Sequence, residues 1–381
     1  MFDVLLSVVI SFTITFLAIP AIIRVAEQKK LFDVPNARKI HQEMIPALGG
    51  LGIYAGFLLA CLLSARFREA PEFQYFIAAS VVVFFLGLKD DILVISPVKK
   101  FIGQVAAATF IIYKGGIQIN SMHGFLGVYE LPELFSLLLT YFTVLVIINS
   151  FNLIDGVDGL AGTLGIIASS IFGVYFLKAG LSAYAIMGFS LAGSLAAFLI
   201  FNYNPAKIFM GDTGSMLIGL VNAVLVLKFI SIAEEPGIDF PVVASPAIGF
   251  TVLLIPLLDT LRVFAIRIYH QRSPFSPDRN HIHHLMLDKG WSHTTITGTL
   301  SVFSVLFVCG AYYFRDYGCT LVILAGIVIF FGGIAALYYT SSHPGFFVSR
   351  TSAVVTIQDE ETKVTKIVPI NKEVLLEKEN G

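Results

Sequence analysis

Charge is what this chain has least of. Only 13% of its 381 residues are Asp, Glu, Lys or Arg, against a hydrophobic fraction of 56%, which argues against a single soluble core and for a polytopic membrane protein. Cysteine is scarcer still. Cys61, Cys309 and Cys319 fall within or at the ends of apolar runs, without paired spacing or a C-x-x-C, and this argues against disulfide and zinc–thiolate frameworks. No basic stretch opens the chain: Asp3 stands where a signal peptide carries positive charge, and the run from 2 to 23 is of spanning length, so an uncleaved first helix is expected. There is no H-E-x-x-H, no internal repeat of useful strength and no low-complexity tract. A net charge of −1 is uninformative about acidic partners, and no nucleic acid is expected to bind. What matters is where each charge falls along the chain.

Apolar runs of spanning or near-spanning length occur at about 2–23, 46–65, 73–95, 101–114, 132–150, 160–178, 182–201, 213–231, 244–268, 294–314 and 318–340. They predict an all-α polytopic integral membrane protein with about eleven transmembrane helices. The run at 101–114 is short for a core about 30 Å thick, so the count is open by one. Of the 25 Lys and Arg, six (Arg66, Arg68, Lys114, Lys178, Lys228 and Arg315) fall on one side and the other 19 on the opposite side. The positive-inside rule then puts the N-terminus outside and the C-terminus in the cytoplasm. Residues 1–345 form the expected membrane catalytic domain and 346–381 a small soluble cytoplasmic tail, with Val354, Thr356, Val364 and Ile367 flanking a polar turn as in a weak hairpin. On the outer side, Gly115 to Pro132, with Gly124 and Gly127, suits a second small hairpin. Glu234 to Asp239 reads as a solvated acidic turn.

The polar stretch Asn149 to Gly162 is wedged between two apolar runs. Asn149, Asn152, Asp155 and Asp158 follow at steps of three, so on one helix they would form a ladder of oxygen ligands. A solvated interhelical loop with turn glycines is the alternative. Burying a carboxylate in hydrocarbon costs about 2.5–3.5 kcal/mol, so such residues mark function or a wet cavity. Asp90-Asp91, Asn149 to Asp158, Asp212 and the His281 to His284 cluster all lie in alternate loops or helix ends. All reach the same cytoplasmic face.

Asp90 and Asp91 repel each other unless a cation or a lysine relieves them, and Lys99-Lys100 follows; solvation at a helix end is the plain alternative. Asp212, in Gly211-Asp212-Thr213-Gly214-Ser215, reads equally as an N-cap and as a metal ligand. Asp259, inside the ninth run, reads as a buried partner for a cationic residue. His281, His283 and His284 lack the spacing of a zinc site, and with Arg272 and Arg279 they suit a clamp on phosphate oxygens. Gly49-Gly50 permits close backbone approach. Carboxylates, lysines, arginines and histidines on one membrane face suit cation-assisted transfer between phosphate esters. Two unit charges 4 Å apart repel by about 4 kcal/mol at an effective dielectric near 20.

The segments Pro35-Asn36-Ala37-Arg38-Lys39 with Gly49-Gly50, Asp90-Asp91, Asn149 to Gly162, Asn202 to Ser215 and Asp278 to His284 together resemble the polyprenyl-phosphate N-acetylhexosamine-1-phosphate transferases, in family order over roughly residues 30 to 290. Asn280-His281-Ile282-His283-His284 is similar to the N-acetylglucosamine branch and lacks the His-His-His-Phe-Glu of the pentapeptide branch. The resemblance implies ten or eleven helices in the bacterial cytoplasmic membrane, magnesium, with manganese as a substitute, a UDP-N-acetylhexosamine donor, undecaprenyl phosphate as acceptor and UMP as leaving group. The reaction would be the first membrane step of an O-antigen, teichoic acid or related envelope polysaccharide. The resemblance further implies Asp212 as the principal metal ligand with Asn152 beside it, and Asp90, Asp91, Asp155 and Asp158 as the catalytic carboxylates. Lys100, or Lys99 in its place, would hold phosphate; Asn152, Asp155 and Asp158 would line the nucleotide site; Arg279, His281, His283 and His284 would bind the donor; and a homodimer stays open. An ion-coupled transporter and a CDP-alcohol phosphotransferase are the rivals; acids gathered at one face count against the first, and the lack of Ala-Arg after Asp155-Gly156 against the second.

Overall fold

The computed structural model describes residues 1–31, 45–271, 273 and 280–339. Arg272, Arg279, the segment Pro35 to Lys39, the 345/346 boundary and the tail from 346 to 381 lie outside the described residues. Each expected apolar run carries helix. In order these are α1 (Phe2–Lys29), α2 (Gly49–Ser64), α3 (Phe73–Ile92), α4 (Pro97–Thr109, closed by a π turn at Phe110–Lys114), α5 (Glu133–Ile154), α6 (Leu160–Lys178), α7 (Ser182–Asn202), α8 (Gly211–Ile232), α9 (Ser245–Val252), α10 (Leu254–Tyr269), α11 (Ile282–Asp288), α12 (His293–Tyr313) and α13 (Cys319–Tyr339).

Seven of them, α1, α5, α6, α7, α8, α12 and α13, are long and apolar enough to cross a membrane alone. The protein is a mostly helical, polytopic membrane protein. Helix α2 has 16 residues and α4 has 13, while α3 carries Lys89, Asp90 and Asp91 in its last turn, so each falls short by length or charge. The ninth run, expected as one helix, is two. Helices α9 and α10 meet at 78°, because Pro256 has no N–H to give the carbonyl of Val252 and the i to i−4 ladder cannot pass.

Helix α8 is the centre of the bundle. It packs against α2, α3, α5, α6 and α7, and 83% of its most apolar stretch is buried. Without a hydrophobic drive between helices in lipid, association relies on close contact of small and polar residues. Helix α1 shows how: Ser7, Ser11 and Thr15 are all buried, and Thr15 Oγ1 donates to the Gly52 carbonyl of α2 at 3.0 Å.

The hairpin expected between Gly115 and Pro132 is present as β1 (Ser121–Phe125) and β2 (Val128–Glu130), paired antiparallel. Leu126 and Gly127 both have positive φ (52° and 80°), the turn that matches strand twist. His123 of this hairpin lies 3.2 Å from Glu234, just past the C-terminus of α8. Glu234 also accepts from the Ser245 N–H at 3.1 Å, so part of that acidic turn is built into the fold. A helix of 22 residues is about 33 Å long, which separates this end of α8 from the end that carries Asp212.

Candidate active site

The N-terminus of α8 leaves backbone N–H groups that need acceptors, and Asp91 of α3 supplies them. Its Oδ1 accepts from the Asp212 N–H (2.6 Å), and its Oδ2 accepts from the Thr213 N–H (3.1 Å) and Thr213 Oγ1 (2.5 Å). Asp91, not Asp212, is therefore the cap, and the Asp212 side chain is left for other work. Gly211 makes the approach possible: its φ is +72°, and a Cβ there would stand 2.4 Å from the Ala47 carbonyl and 2.7 Å from Asp91 Oδ1. The Gly49 and Gly50 N–H groups donate to the Phe209 and Met210 carbonyls at 2.9 and 2.8 Å, the close backbone approach those glycines predict.

Lys100 joins four helices. Its Nζ donates to Asp90 Oδ2 of α3 (3.3 Å), to Asn152 Oδ1 of α5 (3.2 Å) and to Asp212 Oδ2 of α8. Asn152 closes the ring, donating to Asp212 Oδ1 at 2.8 Å and to Ser215 Oγ at 3.0 Å. One turn deeper, Asn149 Nδ2 donates to Gln104 Oε1 at 2.9 Å. This amide contact ties α4 to α5 directly beneath the Lys100–Asn152 pair. Asp90 Oδ1 accepts from the Ile95 N–H at 2.7 Å and so shapes the turn that returns Lys100.

The expected ladder breaks after Asn152. Helix α5 ends at Ile154 and Asp155 is its C-cap, so Asp155 and Asp158 are not stacked on that helix. Burial first, then Asp212, Asp91 and Asp158 nearby, push the Asp155 carboxyl up to about 8. Asp158 turns the other way: Asn204 Nδ2 donates to it at 2.8 Å and His293 Nδ1 stands 3.3 Å off. The turn is further fixed by Asn202, whose Oδ1 accepts from the Gly159 N–H at 2.9 Å.

The histidines form a neighbouring group. His281 Nδ1 lies 2.8 Å from Asp259 Oδ2, and Arg262 Nη2 donates to Asp259 Oδ1 at 2.9 Å. The buried cationic partner expected for Asp259 is thus Arg262, with the His281 ring hydrogen-bonded to the other carboxylate oxygen. The His281 and His283 rings stack at 5.6 Å, and His284 follows at 4.3 Å from His283. His283 Nε2 sits 2.4 Å from where a Cβ on Gly156 would be, which seats α11 on the Asp155–Gly156 turn. Burial pushes the His283 imidazole down to about 3, so it is neutral there. Sequence reasoning singled out Asp90, Asp91, Lys100, Asn152 and Asp212, and the structure brings all five together. Sequence reasoning assigned no role to Gln104, Asn204 or His293, which carry no chemistry-bearing pattern of their own.

Beside Lys100 opens a cavity of about 170 Å³, whose lining includes Asp90, Asn149 and Asn152 as well as Phe101, Leu153, Phe264 and Arg267. Its lining thus combines hard oxygens, apolar surface and a second cation. Helix bundle, clustered carboxylates and a half-apolar cavity make this the candidate active site of a membrane protein. The chain belongs to glycosyl transferase family 4, whose model matches residues 73–230. It is 30% identical to an undecaprenyl-phosphate alpha-N-acetylglucosaminyl 1-phosphate transferase of Yersinia pestis over 71% of this chain and 73% of that one. A protein of the same description from Escherichia coli is 32% identical over 71% and 72%. A decaprenyl-phosphate N-acetylglucosaminephosphotransferase of Mycobacterium leprae is 31% identical over 83% and 85%.

Proposed function

We propose that the protein transfers N-acetylhexosamine-1-phosphate, with N-acetylglucosamine as the sugar, from a UDP-sugar to a polyprenyl phosphate such as undecaprenyl phosphate. The reaction would start an envelope polysaccharide at the cytoplasmic face of the bacterial inner membrane, on a bundle of about eleven spans. The observation that carries this reading is the convergence of Asp90, Asn152 and Asp212 on one cation, the Lys100 ammonium, beside a cavity with a partly apolar lining.

The same oxygens fit magnesium. Lys100 Nζ stands where a cation is already favoured, and the donors are hard oxygens, suited to magnesium or manganese and not to zinc. Among the described residues no three His, Cys, Asp or Glu converge to hold an ion by themselves. Asp212, with Asn152 and Asp90 adjoining, would then hold a metal whose shell is finished by water and substrate oxygens. When bound, it supplies positive charge to the phosphate oxygens.

The residues do the rest. A phosphomonoester has its second pKa near 6, so the lipid phosphate is mostly dianionic at neutral pH and needs no strong base. One of its oxygens forms a bond to the sugar-side phosphorus of the donor as the diphosphate bridge breaks, and UMP departs with the bond pair. Lys100 and Arg267 line the cavity that would take the lipid phosphate, and the polyprenyl chain would follow its apolar surface. Asp91 keeps Asp212 in place through the cap on α8, and Asn152 orients the Asp212 carboxylate. A transporter would keep its acids at the bilayer midplane; here they sit at one end of α8.

Membranes carrying the protein, given radiolabelled UDP-N-acetylglucosamine and polyprenyl phosphate, should yield lipid-extractable label and an equal amount of UMP. Strong labelling from UDP-MurNAc-pentapeptide instead, or sugar uptake without UMP release, would overturn the reading.

A further inference from the structure

Asp259 is 1% exposed, and both of its oxygens are engaged. Oδ1 accepts from Arg262 Nη2 and from the Ile282 N–H, each at 2.9 Å, and Oδ2 faces His281 Nδ1 at 2.8 Å. With the Arg262 guanidinium against it the carboxylate is ionised, and an ionised carboxylate only accepts. His281 Nδ1 must therefore carry the proton of that bond. The other ring nitrogen, Nε2, is buried and has no hydrogen-bond partner among the described residues. A buried polar atom left unmatched is destabilising, and its persistence points to a partner supplied from outside the protein. The ring cannot turn over to relieve it without losing Asp259, and Arg262 holds Asp259 still while also donating to the Asn280 carbonyl that precedes His281.

We propose that Asp259 is the positioning residue of His281: it fixes Nδ1–H inward so that Nε2 is the atom offered to the diphosphate of the nucleotide-sugar. The inference rests on the proposed transfer reaction, and it gives the histidine group a division of labour. His281 meets the donor through Nε2. His283, buried and seated on the Asp155–Gly156 turn, spaces the helix. A phosphate oxygen accepts, so Nε2 serves it from the protonated ring, and the Asp259 carboxylate balances that second proton.

The test is a double-mutant cycle on purified full-length protein with each substrate varied in turn. Asp259→Asn keeps the shape but removes the carboxylate that accepts from Nδ1–H and balances the second proton, so Nδ1–H and Nε2–H are no longer held on the ring together. It should lower kcat/KM for the UDP-sugar roughly 10- to 100-fold, the scale set by residues that orient a functional imidazole, with KM for the lipid unchanged. Adding Asp259→Asn to His281→Ala should cost nothing further, and Asp259→Glu should recover part of the loss. Losses that multiply in the double variant, or equal losses toward lipid and donor, would make Asp259 structural glue and overturn the proposal. Should Asp259→Asn fail to fold, nitrogen-15 NMR of histidine-labelled wild-type protein in bilayers decides the matter, the His281 signal being the one absent in His281→Ala. A proton on Nδ1 is the expected result, and a neutral ring protonated on Nε2 alone overturns the proposal. Wild-type protein that makes no lipid product from a UDP-sugar, yet shows Nδ1–H on His281, would defeat the transfer reading and leave the Asp259–His281 pairing standing.

Discussion

The acidic groups around Asp212 and around Asp259 are built from similar side chains and are put to opposite uses. Around Asp259 a carboxylate, a guanidinium and an imidazole close on one another with side-chain exposures of 1%, 7% and 5%, and only His281 Nε2 and Arg262 Nε of that trio are left without a hydrogen-bond partner among the described residues. Around Asp212 the side chains of Lys100, Asp90 and Asp212 keep 16%, 15% and 28% of their surface and border a cavity. One ammonium there serves two carboxylates directly, with Asp155 and Asp91 close behind. A polar group whose bonds are matched fixes geometry, whereas an open group short of positive charge takes up cations and the phosphates they bring.

That contrast is broken most directly at Asp212. Asp212→Asn should cut transfer roughly 1,000-fold or more, equivalent to about 4 kcal/mol of transition-state stabilisation, while thermal unfolding in detergent stays close to that of the unaltered protein. Magnesium chelation should have the same effect on rate. Retention of a substantial rate with unchanged magnesium dependence would remove Asp212 from the metal.

The sequence made the open group legible and the closed one only in part. Lys100, Asp90, Asp91, Asn152 and Asp212 stand out because charge and amides at the ends of apolar runs are rare, and alternate loops must share a face. The helices were legible for a related reason, since apolar runs separated by glycine and proline leave the chain few other choices. Three features escaped. The 78° bend needed the geometry around Pro256, because a proline in an apolar run marks a kink but not its angle. The ladder at Asn149 to Asp158 assumed a helix that stops at Ile154. The split between Asp90 and Asp91 was invisible, since neighbouring residues on a helix point about 100° apart and only the fold decides which one meets α8.

Asp91 sharpens the comparison, because it lies in the open group yet behaves like a member of the closed one. Asp91→Asn would turn an amide NH₂ or a weaker acceptor toward the Asp212 and Thr213 N–H groups. Each charge-assisted bond lost is worth about 1.5–3 kcal/mol, so a lower unfolding temperature should accompany a rate loss smaller than that of Asp212→Asn, with magnesium affinity weakened through displacement of α8. A full loss of activity with unaltered stability would place Asp91 among the reacting groups and not beneath them.

The smallest effect on rate should come from Arg262, and it tests whether the closed group really is scaffold. Arg262→Gln removes the cation from Asp259 but leaves the His281 and Ile282 bonds to that carboxylate, so the imidazole keeps its orientation. Breaking a buried ion pair by removing one partner is destabilising by about 3–5 kcal/mol, part of which the glutamine amide recovers by donating in place of the guanidinium. The expected result is a clear fall in unfolding temperature with only a few-fold rise in KM for the UDP-sugar, since Arg262 reaches the donor solely by way of Asp259 and the Asn280 carbonyl. Were Arg262→Gln to abolish donor use with its thermal stability intact, the guanidinium would have to contact the substrate, and the Asp259 group would join the Asp212 group as a binding site.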